Sequence, residues 1–127
     1  MEPTGIDHFV LTVSDVERAC EFYERVLDCE VVTFGEGRRA LRFGDQKVNL
    51  HPDGWDHEPK AERPTPGSGD FCVLTETPIE AVERELRDAS VEIVEGPVER
   101  TGARGPIESV YFRDPDGNLV EVARYRE

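Results

Sequence analysis

The sequence predicts an α+β fold in which two paired βαβββ modules form a curved sheet around a cleft. Three observations lead to this prediction. Apolar patterning along residues 6–51 indicates a strand, a helix and three short strands. Residues 70–94 repeat the beginning of that order, in register with residues 8–32. A hairpin pattern at residues 110–122 supplies the last two strands.

The composition limits the class of protein. A chain of 127 residues fits one domain with a single sizeable core. The formal net charge of −13 argues against nucleic acid as a partner, because phosphate contacts need clustered Lys and Arg, and it disfavours anionic membrane surfaces. No apolar run approaches ~18 residues and no basic-then-apolar leader is present. We therefore expect a cytoplasmic protein without a membrane partner.

The usage of basic residues and cysteines adds two expectations. Lys47 and Lys60 are the only lysines, and this acidic, Arg-dominated composition resembles that of halophilic proteins, in which salt screens self-repulsion. The three cysteines have no CxxC spacing. They indicate neither a disulfide framework nor a Cys-based zinc site.

The first module spans about residues 5–52. Residues 6–13 alternate as a strand with His8 on one face, and the next residues change to helical spacing. Ser14, with Glu17 three residues later, predicts an N-cap and capping box for a helix at roughly 15–27. Short strands are predicted at residues 30–34, 39–43 and 47–51.

A linker of about residues 53–68, rich in Pro and Gly, separates this module from the second, at about 69–125. The second module opens with a strand at 69–75 and a helix from Pro78 to about Arg87. A further strand around residues 92–94 is followed by a long predicted loop, Glu95 to Ile107, before the hairpin. Because the matching positions keep their order without a gap, we interpret the two modules as an internal repeat.

The second strand of the hairpin contains a charged residue, Glu121, among apolar residues. Pro115 and Gly117 indicate a turn, and the second strand alternates so that Glu121 lies in the middle of an apolar strand. A Glu in this position is usually solvated, paired with a cation or bound to a metal. The solvated interpretation is the commonest for strand Glu residues in general.

Pairing of the two modules would bring equivalent strand positions together in the cleft. His8 is equivalent to Asp70, and Glu121 is equivalent to Asn49 or His51, depending on how the shorter turn is aligned. Imidazole and carboxylate groups suit a divalent metal ion such as Zn, Ni, Mn or Fe. Other roles remain open: His8 as a hydrogen-bonded sheet residue, Asp70 as a turn residue and His51 as a surface residue.

Two segments resemble the vicinal oxygen chelate superfamily, which holds glyoxalase I, extradiol dioxygenases, fosfomycin-resistance transferases and bleomycin-resistance proteins. They are residues 6–13 with the Phe22-Tyr23 helix that follows, and residues 112–122 with the Asp-Pro-Asp-Gly-Asn turn. The resemblance covers nearly the whole chain. Small glyoxalase-domain proteins share the Asn49-Leu50-His51 strand end and the Pro-Thr-Pro-Gly-Ser linker.

The resemblance implies metal binding by His8 and Glu121, with further ligands from the last strand of the first module and the first strand of the second. Asp70 stands where the family often has His, and Asn49 or His51 where glyoxalase I has Glu. It also implies a homodimer, a small-molecule substrate or ligand, and a proton-transfer role for Glu121. Two functions follow: a metal-dependent enzyme of the glyoxalase or dioxygenase type, or a non-catalytic small-molecule-binding protein of the bleomycin-resistance type.

Overall fold

The structure is a computed structural model that describes residues 1–126. The chain divides into two compact units, Met1–Gly67 and a second unit that begins at Ser68. Each unit contains one helix and one four-stranded sheet. Within the described residues, neither helix is long and apolar enough to cross a membrane.

The first unit has the order strand, helix, strand, strand, strand. Its elements are β1 (His8–Val13), α1 (Val16–Leu27), β2 (Glu30–Phe34), β3 (Arg38–Phe43) and β4 (Gln46–Pro52). The spatial order of the strands is β1-β4-β3-β2, with β1 parallel to β4 and the other pairs antiparallel.

The second unit repeats this arrangement. Its elements are β5 (Asp70–Leu74), α2 (Ile79–Asp88), β6 (Ile93–Gly102), β7 (Gly105–Arg113) and β8 (Leu119–Tyr125). The strand order is β5-β8-β7-β6, with β5 parallel to β8. The two sheets have the same topology, so the predicted α+β fold of two βαβββ modules is confirmed.

In each unit, alternation along the strands separates a buried apolar face from a second face. The buried residues of the first sheet are Leu11, Val13, Leu41, Val48 and Leu50, and those of the second are Val110, Phe112, Val120 and Val122. The apolar sides of α1 and α2 cover these faces. We call the other face of each sheet its open face. In the first unit it carries Thr12, Arg38, Lys47, Asn49 and His51, and in the second Asp70, Cys72, Ser109, Tyr111 and Glu121.

The predicted Ser14 cap of α1 is wrong, because Asp15 caps the helix. Asp15 has an extended backbone (φ −148°, ψ 108°), and its Oδ1 accepts a hydrogen bond from the Arg18 N–H at 3.1 Å. Glu17 does not complete a capping box and instead pairs with Arg39 at 2.5 Å. A carboxylate at the N-cap satisfies a free N–H group and also interacts favourably with the helix dipole.

The predicted loop from Glu95 to Ile107 is also wrong, because most of it belongs to β6 and β7. The register of these strands shifts between Ile93 and Val98, around Gly96 and Pro97. Gly96 has φ +110°, and a Cβ atom there would lie 2.4 Å from the carbonyl oxygen of Ser109. The Gly-Pro pair therefore marks a bulge inside a strand, where only Gly permits the close approach.

The predicted turn between the last two strands is confirmed, and it is held by a buried network. The carboxylate of Asp114 accepts hydrogen bonds from the N–H groups of Asp116 and Asn118, both at 2.9 Å. The Asn118 Nδ2 also donates to this carboxylate at 2.7 Å, and Asn118 Oδ1 accepts from the Gly69 N–H at 2.7 Å. The turn thus fixes the start of β8 beside the start of β5.

Candidate functional site

Glu121 lies in the centre of the open face of the second unit. In the sheet it is paired with Cys72 of β5 and Tyr111 of β7. Its Oε2 accepts a hydrogen bond of 2.5 Å from Ser109 Oγ, and Ser109 is completely buried. A buried donor of this kind limits the orientations of the carboxylate.

A depression of about 430 Å³ contains Glu121. Asp70, Glu95, Arg100, Tyr111 and Arg113 also line it, with Val94 and Leu119 as apolar neighbours. A second depression of about 390 Å³ shares Glu121, Tyr111 and Arg100 with the first and extends to Cys72 and Tyr125. The structure therefore brings together two of the predicted site residues, Asp70 and Glu121.

Arg100 and Tyr111 form a polar wall of this depression. Arg100 Nε donates to the Tyr111 hydroxyl at 3.2 Å, and its guanidinium also pairs with Glu95. Desolvation raises the pKa of Tyr111, the hydrogen bond from Arg100 opposes this effect, and the Glu121 carboxylate adds to the rise. The Tyr111 hydroxyl is therefore protonated at neutral pH and can donate a hydrogen bond.

Cys72 lies on the same face but is a poor nucleophile. Desolvation by the protein around the thiol raises its pKa to about 12, and the charge of Glu121 contributes to this shift. The residue retains exposed surface, although the thiolate is unfavourable beside a carboxylate. Cys72 therefore offers a neutral thiol to the site.

His8 lies in the first unit, at the start of β1, with 44% of its side chain exposed. Its Nδ1 is 2.8 Å from Asp7 Oδ2. A carboxylate on one ring nitrogen orients an imidazole and leaves Nε2 for a metal, as is common for metal-binding histidines. The surroundings of His8 thus fit the role of a ligand.

His51 is distant from His8 in the same sheet. His8 is paired with Lys47, whereas His51 is paired with Thr12, four residues further along. At roughly 3.3 Å per residue this offset is about 13 Å. The His51 ring instead contacts Trp55, with ring centroids 4.3 Å apart, and its buried Nε2 has no hydrogen-bond partner. The pKa of His51 is lowered mainly by its partial burial, and the charges of Arg38 and His57 lower it further.

The register decides which residue is the counterpart of Glu121. Val10 pairs with Asn49 in the first unit, and Cys72, which lies 62 residues after Val10, pairs with Glu121 in the second. Asn49, rather than His51, is therefore equivalent to Glu121.

The predicted ligands have the chemistry of a divalent metal site, with imidazole from His8 and carboxylates from Asp70 and Glu121. In residues 1–126, however, no group of three or more His, Cys, Asp or Glu side chains is arranged to hold a metal. The full ligand set of His8, His51, Asp70 and Glu121 stays a prediction.

The sequence interpretation missed Ser109 and Tyr111 as partners of Glu121. Both belong to the alternating residues of β7 that share the face of Glu121. Their alternation could have identified them once the hairpin was recognised. The sequence indicates Arg100 only as a weak candidate for an anion contact within the predicted loop, whereas the structure has it in β6.

A family model described as "Glyoxalase/Bleomycin resistance protein/Dioxygenase superfamily" matches residues 5–122. The chain belongs to this superfamily. The resemblance found in residues 6–13 and 112–122 is thereby confirmed, and the superfamily includes both enzymes and binding proteins.

Known relatives within the superfamily have different names. The chain is 58% identical to "Virulence protein STM3117" of Salmonella typhimurium, over 94% of this chain and 83% of the relative. It is 31% identical to the "Metallothiol transferase FosB" of Shouchella clausii, over 93% of this chain and 78% of the relative. The solved structure of the integron cassette protein VCH_CASS1 of V. cholerae is 51% identical with a TM-score of 0.97, covering 99% of this chain and 98% of that one.

Proposed function

We propose that this chain is a metal-dependent enzyme that acts on a small substrate bound to a divalent metal through adjacent oxygen atoms. The main observation behind the proposal is the position of Glu121, whose carboxylate is oriented by Ser109 within a depression that also contains Asp70. The relative named metallothiol transferase supports a metal in a protein of this family. His8, Asp70 and Glu121 are the proposed ligands, and His51 is the remaining candidate.

The residues of the chain would have separate roles at this site. Glu121 would take up or return a proton of the substrate, because a carboxylate aimed into a depression can act as a general base. Tyr111 would donate a hydrogen bond to a substrate oxygen, and the adjacent Arg100 would favour a negative charge there. A bound metal ion would act as a Lewis acid that polarises the substrate oxygens.

Metal analysis tests this proposal directly. Protein purified without chelator should contain close to one divalent ion per chain, and His8→Ala and Glu121→Gln should each lose most of it. His51→Ala shows whether the fourth candidate contributes. A wild-type protein that neither retains metal nor binds Mn²⁺, Ni²⁺, Zn²⁺ or Fe²⁺ in calorimetric titrations would refute the proposal.

Ser109→Ala provides a finer test because it removes only the donor that orients Glu121. Loss of such a partner typically weakens metal binding by about 10–100-fold. The matched control is Glu108→Gln, since Glu108 is the neighbour of Ser109 on β7 and points to the opposite side of the sheet. The control should keep wild-type affinity.

A second candidate function is non-catalytic binding of a small molecule. Its support is the departure from the metal-site pattern, with Asn49 at the position equivalent to Glu121 and Asp70 in place of the common His. The fold is also shared with the antibiotic-binding protein TnmS3 (TM-score 0.78), although the identity is 21%. Thermal stabilisation by organic ligands in the presence of chelator, without stabilisation by metals, would favour this function.

We also propose that the chain forms a homodimer in solution. β1 and β5 are edge strands of their sheets, and they expose Phe9 (38%), Val10 (45%) and Leu74 (57%). Exposed apolar edge strands are usually covered in native proteins. Light scattering coupled to size exclusion should give twice the chain mass of 14.3 kDa, and Val10→Glu should shift the protein to monomer.

A further inference from the structure

The tripeptide Pro-Asp-Gly occurs twice in the chain, at residues 52–54 and 115–117. Both copies lie in turns, and both glycines have positive φ, +78° for Gly54 and +89° for Gly117. In an Asp-Gly sequence the backbone nitrogen of the Gly can attack the carboxyl carbon of the Asp, because Gly has no Cβ that hinders the approach. Since the local sequences are the same, any difference in this reaction must come from the fold.

In the first copy, the nitrogen of Gly54 is free. The Trp55 N–H closes the turn by donating to the Pro52 carbonyl oxygen at 3.1 Å, so Gly54 is the third residue of the turn and not its donor. Asp53 and Gly54 are both exposed, and a Cβ atom on Gly54 would meet no atom within 4 Å. Among the described residues, the Gly54 N–H has no hydrogen-bond acceptor and the Asp53 carboxylate forms no ion pair.

In the second copy, the equivalent nitrogen is engaged. Gly117 is the fourth residue of its turn, and its N–H donates to the Asp114 carbonyl oxygen at 3.0 Å. The Asp116 N–H donates to Asp114 Oδ1 at 2.9 Å, and the same carboxylate is held by the buried Asn118. Attack by the Gly117 nitrogen would require its peptide group to rotate away from these partners.

The first turn can rotate at a much smaller cost. The Asp53 N–H donates to the Val13 carbonyl oxygen at 2.8 Å, but this bond precedes the Cα atom of Asp53 and leaves the peptide that follows it free to turn. Only the bond between Trp55 and Pro52 resists the rotation. Exposed turns of this kind are among the parts of a protein that open most readily.

We propose that Asp53 isomerises spontaneously to isoaspartate in the folded protein, whereas Asp116 is protected. The Gly54 nitrogen forms a bond to Asp53 Cγ, and the carboxyl hydroxyl leaves with the amide proton as water. Water then adds to the resulting succinimide. Opening at the carbonyl carbon of the main chain gives isoaspartate, and opening at Cγ restores aspartate, so the reaction needs no oxidant and leaves the mass unchanged.

The product changes the path of the backbone and keeps its charge. An isoaspartyl link adds one methylene group between β4 and the linker, directly before Trp55, whose carbonyl oxygen accepts a hydrogen bond from Lys60 Nζ at 3.2 Å. The α-carboxylate that is set free is the group that protein-isoaspartyl methyltransferases methylate. The aged chain is therefore a substrate for that class of enzyme, and no proposed metal ligand takes part in the chemistry.

Ageing of the full chain tests this proposal. Folded protein is kept at physiological temperature and neutral pH for several weeks, and isoaspartate is counted by methylation with a protein-isoaspartyl methyltransferase. Peptide mass spectrometry with electron-transfer fragmentation locates it. We expect at least about tenfold more isoaspartate at Asp53 than at Asp116, because the second turn must lose additional hydrogen bonds, one of them to a charged group. In urea, where both turns are unfolded, the two positions should react at similar rates.

Asp53→Glu should abolish the methylation, because the longer side chain would have to close a less favourable six-membered ring. The matched control is Asp45→Glu, which makes the same change in another exposed turn, where the next residue is Gln46. This control should age like the wild type. Trp55 is the only tryptophan of the chain, so its fluorescence should change as the wild type ages and stay constant in Asp53→Glu. Circular dichroism establishes that both variants fold.

Three results would overturn the proposal. The first is folded wild-type protein without isoaspartate at Asp53 while the chain in urea accumulates it. The second is equal accumulation at Asp53 and Asp116 in the folded protein, and the third is a yield that Asp53→Glu leaves unchanged. None of these outcomes depends on whether the protein binds a metal.

Discussion

Replacing Asn118 by alanine should destabilise the protein strongly, although the residue lies in a turn. Asn118 is completely buried, and its side chain donates to Asp114 and accepts from the Gly69 N–H, both at 2.7 Å. The substitution removes a hydrogen bond to the carboxylate of a 6%-exposed Asp and leaves the backbone N–H of Gly69 without its acceptor. At about 1.5–3 kcal/mol for the bond to a charged group and about 1–3 kcal/mol for the unsatisfied N–H, the free energy of unfolding should fall by about 3 kcal/mol.

Urea denaturation at 25 °C measures this change, and thermal unfolding should show a midpoint about 10 °C lower for a chain of 127 residues. Asn49→Ala is the matched control. Asn49 is also buried, but its Oδ1 has no partner, so its removal should cost about 1 kcal/mol or less. A loss below about 0.5 kcal/mol for Asn118→Ala, or equal losses for the two variants, would show that the network contributes little.

Three further predictions concern the bulge, the thiol and the surface. Gly96→Ala should lower the free energy of unfolding by at least about 2 kcal/mol, because the added Cβ would clash with the Ser109 backbone. Gly105→Ala, also at positive φ but in open space, should cost less, and urea denaturation of both variants checks this order. At pH 8, Cys72 should react with iodoacetamide at least about tenfold more slowly than a free thiol, and the rate should keep rising up to pH 11. Glu121→Gln should accelerate the reaction, whereas a rate that levels off below pH 9 would contradict the raised pKa of Cys72. The free energy of unfolding should increase from about 0.1 to 2 M KCl, since screening reduces self-repulsion, and a decrease would oppose the halophilic interpretation.

The sequence was sufficient to predict the fold and the position of Glu121, because both depend on local patterns. Alternation places Glu121 on its face of β8, and Pro115 and Gly117 identify the turn before it. The boundaries of β6 were not predictable in this way. Gly96 and Pro97 are typical of loops, and only the approach of β7 makes them a bulge.

Which side chains surround each candidate site depends on the register of the paired strands, and this register cannot be predicted from the sequence alone. Asn49 and His51 are both plausible counterparts of Glu121 until the pairing of Val10 with Asn49 is known. In the same way, Arg38 and Lys47 are widely separated polar residues in the sequence. Their meeting at Phe34 follows from the folding of β2, β3 and β4 into one sheet.

The identical strand order of the two units has an evolutionary consequence. Two identical halves assembled as separate chains must carry every substitution twice, whereas two halves on one chain can diverge independently. Here one half has Asn49 where the other has Glu121 in a depression with Asp70. The duplicated scaffold thus carries different polar groups at equivalent places, so either half can be altered by selection or by design without forcing the same change on the other.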